Sequence, residues 1–154
     1  MIQKIVSVAL LLLAQLPASP TTTPVPSFKE VPGPGPMFAA LQRLPEGDDL
    51  AHFNYVVKEY FVSGIAQGQP YTTRIVVRRP TDPAKFSGLI LAESMHPSGN
   101  AWMFHFTHAY SMTTGHVGLD ILTSTSVPFA EFNAERYKRL QVGQGQAPEI
   151  LAQV

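Results

Sequence analysis

Ser98, His116 and Asp120 are the residue types that acyl transfer needs: a hydroxyl to attack, an imidazole to take its proton, and a carboxylate to orient the imidazole. The strand-to-helix turn that normally exposes such a serine reads G-x-S-x-G, and this chain has no such run. Trios of this composition arise often by chance, so the three are expected to stand apart. His105 and His108, three apart in HFTH, share one face of a helix, and His96 and Glu93 could join them to hold a metal. Zinc peptidases instead space two histidines four apart around a glutamate. The expectation is therefore no metal, with one histidine packed and the other solvated. Cysteine is absent, which removes disulfides, thiolate metal sites and a thiol nucleophile together.

Glu93 differs in kind, because it ends the apolar run LILAE and a carboxylate there is costly unless paired. Two readings stand: a strand-end acid meeting solvent or an arginine, or a ligand-side residue. Ligands of open α/β sheets gather outside the carboxyl ends of parallel strands. Arg74 and Arg78 share a strand face by period two, with Arg79 opposite. They are expected to form a solvated face or to guard a sheet edge. GPGP and GQGQ are not phosphate cradles, since neither leads a strand–loop–helix nor precedes Lys-Ser or Lys-Thr.

The elements that must position these residues follow from pattern. YVVKEYFVSGIA and YTTRIVVRRP alternate around AQGQP and predict an antiparallel hairpin. Pro80 ends it, and TDPAKF is a polar connector. The consecutive apolar residues Leu89, Ile90, Leu91 and Ala92 predict a central, parallel strand covered on both faces. AWMFHFTHAYSMTTG predicts a helix with a buried stripe of Trp102, Phe106, Ala109 and Tyr110, ending at Gly115. Val117, Leu119, Ile121 and Leu122 return to strand, completing a βαβ unit. A further helix is expected near Glu131 to Leu140, and an apolar element begins at Glu149.

The 154 residues carry eleven basic and eleven acidic side chains, so no charge footprint points to nucleic acid. Lys4 followed by the apolar stretch Ile5 to Leu13 has a secretory-signal layout, read as residues 1–18, and is too short to span a membrane. Residues 19–54 are read as a Pro/Gly-rich arm and linker that backbone ladders cannot cross, apart from one or two helical turns in MFAALQRL. Residues 55–154 form the domain: α/β, a mixed sheet of antiparallel hairpin followed by βαβ, expected to be incomplete.

Glu59, Tyr60, Ser63, Gly64, Ala66, Tyr71, Thr73, Arg74, Val77, Arg78, Arg79 and Pro80 punctuate the hairpin; Asp82, Pro83, Phe86, Ser87, Gly88 and Glu93 lead to the strand end. With Ser98, Gly99, Trp102 and His105, this pattern resembles the N-terminal part of a family of secreted or periplasmic alpha/beta-hydrolase-domain proteins. The likeness covers roughly Tyr55 to Leu122, with fainter echoes at NAERY and EILAQV. Departures fall in one loop: Ser94 stands for the family's tryptophan, His96 for its asparagine, and Asn100 for its second loop glycine.

The resemblance implies a mixed hydrolase-like sheet whose catalytic serine, acid and histidine lie beyond EILAQV, so that no catalytic residue is in this chain. It also implies that the loop after the strand supplies an oxyanion donor, with Glu93, Met95, His96, Ser98 and Gly99 as rim candidates. The expected function is thus the N-terminal part of an exported, ester-hydrolysing protein, inactive alone, acting on a small ester without cofactor. The alternative is a non-catalytic secreted binding or accessory module.

Overall fold

The computed structural model describes residues 24–154; the expected signal segment, 1–18, lies outside them. A five-stranded sheet forms from β1 (Ser27–Glu30), β2 (Tyr55–Ala66), β3 (Gln69–Pro80), β4 (Ile90–Ser94) and β5 (Val117–Ile121), in the order β1-β2-β3-β5-β4. The hairpin is antiparallel over its whole length, from Tyr55 opposite Pro80 to Ala66 opposite Gln69. Gln67, with φ 52°, and Gly68, with φ 67°, make the left-handed two-residue turn that suits the twist of paired strands. β3 pairs antiparallel with β5, and β4 pairs parallel with β5. The crossover between β4 and β5 is α1 (Trp102–Thr114), closed by Gly115 at φ 78°. The predicted βαβ unit and its glycine cap are therefore present.

Four expectations are corrected. β4 is parallel but is the edge of the described sheet, and only Leu91 and Glu93, facing α1, are partly covered, while Ile90, Ala92 and Ser94 are exposed. An all-apolar run signals a strand meant for two-sided cover, not the order in which strands pair. Second, the Pro/Gly-rich arm carries a ladder after all, because β1 occupies its proline-free stretch SFKE and pairs with β2. Third, MFAALQRL forms no helix; Ala40 sits at φ 53° and is buried, which breaks any helical turn. Fourth, α1 buries Phe104, Ser111 and Met112, whereas Phe106 is 76% exposed and Tyr110 64% exposed. Apolar residues surround this helix, so periodicity could not choose a face. Gly118 chooses it: a methyl there would run into the Phe104 ring that fills the space beside β5.

The remaining elements cover the two faces. α2 (Phe129–Tyr137), broken at Asn133 with φ −158° and ψ 86°, replaces the helix expected nearer Glu131 to Leu140. It joins Ala40, Phe61, Met95, Leu122 and Val127 in one apolar cluster on the face that carries Arg74 and Arg78. α3 (Ala147–Gln153) places Ile150 against Val62, Tyr71, Ile75 and Ile121 on the other face. Among the described residues no helix is long and apolar enough to cross a membrane.

Candidate active site

Parallel pairing sets Glu93 beside Asp120 and Ser94 beside Ile121, so β4 and β5 end together. Two loops leave this end, residues 95–101 and 122–128, and the Ser94 and Thr123 hydroxyls hydrogen bond across their bases. The Met95 amide extends the sheet by donating to the Ile121 carbonyl at 2.8 Å, while its side chain is buried against Leu122, Val127 and Phe129. The rest of the first loop folds on itself. His96 N–H donates to the Asn100 carbonyl at 3.1 Å and Gly99 N–H to the His96 carbonyl at 2.8 Å. Gly99, at φ 82°, is where the loop turns, and a Cβ there would lie 2.9 Å from the Phe38 ring. Only glycine combines that backbone conformation with that approach.

Glu93 has a definite task. Its two carboxylate oxygens accept from the Met103 amide at 2.9 Å and the Phe104 amide at 2.8 Å, the first turn of α1. The residue preceding that helix, Ala101, has no side chain able to cap it. A carboxylate from the neighbouring strand therefore satisfies donors that every helix start leaves open, at the positive end of the helix dipole.

The rim residues thus divide. The amides of Met95, His96 and Gly99 are engaged as described, Ser98 N–H donates to His96 Nδ1 at 3.1 Å, and Pro97 has none. Among the described residues, only the Asn100 and Trp102 amides in this stretch are without a partner; Ala101 N–H donates to the Ala40 carbonyl at 2.8 Å. Ser98 Oγ lies 2.9 Å from His96 Nδ1 and accepts from the Asn100 side-chain amide at 3.1 Å. This pairing is local, and among the described residues no carboxylate orients His96.

Ser98, His116 and Asp120 do not come together among the described residues. Ser98 follows β4 whereas His116 precedes β5, which puts them at opposite ends of a parallel pair. His116 Nδ1 is 2.7 Å from Ser87 Oγ, and Asp120 is paired with Arg78. His108 Nδ1 lies 2.6 Å from the His105 carbonyl oxygen, and no group of three His, Asp or Glu side chains able to hold a metal occurs among the described residues.

The arginines overturn the expectation of a solvated face. Arg74 and Arg78 are 0% and 1% exposed. Arg74 pairs with Glu59, Arg78 with Asp120, and Arg136 from α2 reaches the second oxygen of Glu59 at 2.6 Å. The Tyr137 hydroxyl donates to Glu59 at 3.0 Å and accepts from the Phe38 amide at 2.7 Å. Burial pushes the Asp120 carboxyl above its ordinary range, against the pull of Arg78 and Arg74. The free ends of the three guanidiniums donate to carbonyls of the arm: Arg74 to Phe38, Arg78 to Ala39 at 2.8 Å, and Arg136 to Gly35 at 3.0 Å and Val31 at 2.6 Å. Irregular backbone that no ladder could satisfy is satisfied by charge, and the arm brings Phe38 against Gly99 at the loop. Sequence reasoning missed this network. Its signal was present as Glu59, Arg74, Arg78 and Asp120, opposite charges on the inward period of otherwise apolar strands.

A family model described as an alpha/beta hydrolase domain matches residues 17–154. The chain belongs to that family, and the mixed sheet and the parallel pair with its crossover helix agree with it. No curated protein and no solved structure matches the chain.

Proposed function

We propose that this chain contributes the frame and the oxyanion-side wall of an ester-hydrolysing site in an exported alpha/beta hydrolase. One observation carries the reading: the loop after β4 stands at the carboxyl ends of the parallel pair and leaves two amides, Asn100 and Trp102, without partners. Donors of this kind stabilise the oxyanion of acyl transfer, and removing one costs roughly a hundredfold or more in rate. The Gly99 turn, the Glu93 cap and the Phe38 contact hold the loop. None of Ser98, His116 or Asp120 is placed to act as nucleophile, base or acid, so the 154-residue chain is expected not to turn over esters. Export is supported by the Lys4 cation and the apolar residues that follow it.

The test uses the chain as it stands with short p-nitrophenyl esters and a fluorophosphonate probe. No turnover and no labelling are expected; a labelled serine would overturn the assignment. Reading the coding DNA past Val154 supplies the positive arm. A G-x-S-x-G followed by an acid and a histidine supports the proposal, and an immediate stop in the natural gene removes it.

A further inference from the structure

A concavity of about 550 Å³ lies on the β1 side of the sheet rather than beside the loop after β4. Its floor is one cross-strand row. Ser27 stands opposite Ser63, Ser63 opposite Thr72, and Thr72 opposite Gln141, which is bridged to it by two 2.8 Å backbone hydrogen bonds. Four polar side chains from four chain segments are thus aligned on the face that also carries Arg74, because residues opposite one another in a sheet project to the same side. Ser63 Oγ and Thr72 Oγ1 lie 2.9 Å apart, and each keeps hydrogen-bonding capacity beyond that contact.

The walls are cationic. Lys29, two residues beyond Ser27, and Lys138 and Arg139, just after α2, line the groove, and no acidic residue does. Lys138 is matched by Glu135 at 2.6 Å. Glu30, next to Lys29, turns to the opposite face and pairs with Lys58 at 2.6 Å. Among the described residues Lys29 and Arg139 have neither an ion pair nor a hydrogen bond. A chain with no net charge has therefore left two cations uncommitted beside a row of hydroxyl and amide groups.

We propose that this groove binds a hydroxylated carboxylate of the sugar-acid class. Arg139 and Lys29 take the carboxylate, and the Ser27–Ser63–Thr72–Gln141 row meets the hydroxyls. The volume is within the range of small-molecule sites, about 300–1,000 Å³.

Calorimetric titration of the full chain with glucuronate, glucose and inorganic phosphate tests it. Glucuronate is expected to bind at least about tenfold more tightly than either of the others, a difference of about 1.4 kcal/mol. The double variant Lys29→Gln, Arg139→Gln should lose about tenfold or more for glucuronate with an unchanged circular dichroism spectrum. Ser27→Ala should weaken glucuronate and leave phosphate unaltered. Glucose binding as well as glucuronate, phosphate matching glucuronate, an unaffected double variant, or no glucuronate binding at millimolar concentration each overturns the proposal.

Discussion

Glu93 shows how much of a carboxylate's role rests on contacts that its position in the chain does not reveal. A strand-end acid at the ligand side of an α/β sheet suggests chemistry, yet its oxygens are both occupied by the first amides of α1. Glu93→Ala should destabilise the fold by about 1–2 kcal/mol, the ordinary cost of a lost helix cap, with Glu93→Gln retaining part of it. Urea unfolding followed by circular dichroism reads the difference, and equal midpoints for all three proteins would show that the cap contributes nothing. Gly118 is the converse case, a residue that acts by having no side chain. Gly118→Ala forces Phe104 off β5 and with it the Arg78 guanidinium, which lies 5.1 Å from that ring centre. Overpacking of this kind costs about 1–3 kcal/mol, and a Tm equal to the parent's would refute the tight packing described.

Among elements, the hairpin and the βαβ unit were legible because their signals are local: alternation around Gln67–Gly68, a glycine at the end of α1, β-branched residues after it. What was not legible depends on partners far away in sequence. The inward face of α1 is set by Gly118, the edge position of β4 by strand order, and the burial of Arg74 and Arg78 by Glu59 and Asp120. Period two correctly grouped the two arginines on one face but carried no information about whether that face met water. The loop of the candidate site was found by topology, whereas its two open amides required knowing which carbonyls the others reach. At the hairpin–α2 contact, Glu59→Gln leaves Arg74 and Arg136 buried without their shared carboxylate. The expected loss is about 3–5 kcal/mol, as for a buried pair stripped of one partner. Denaturant titration measures it, and a loss below about 1 kcal/mol would mean that the arginines find water instead.

For the molecule as a whole, alkaline pH is the sensitive side. Burial raises the phenols of Tyr55, Tyr71 and Tyr137 above their ordinary value of 10.0. The native state then holds these protons after the unfolded chain has lost them, so stability is intact below pH 10 and falls as pH rises past it. Unfolding midpoints measured on either side of that value, alongside phenolate absorbance, check the sign; a midpoint that rises would contradict it. The arm adds a consequence in time. Val31 is bound by Arg136, 105 positions later, and Gly35 by the same side chain, 101 positions later. At synthesis rates of about 5–20 residues per second, the arm is made roughly 5–20 s before Arg136. Among the first described residues made, it is among the last to be fastened, and its prolines suit that wait: lacking amide hydrogens, they offer neighbouring chains little to pair with in the interval.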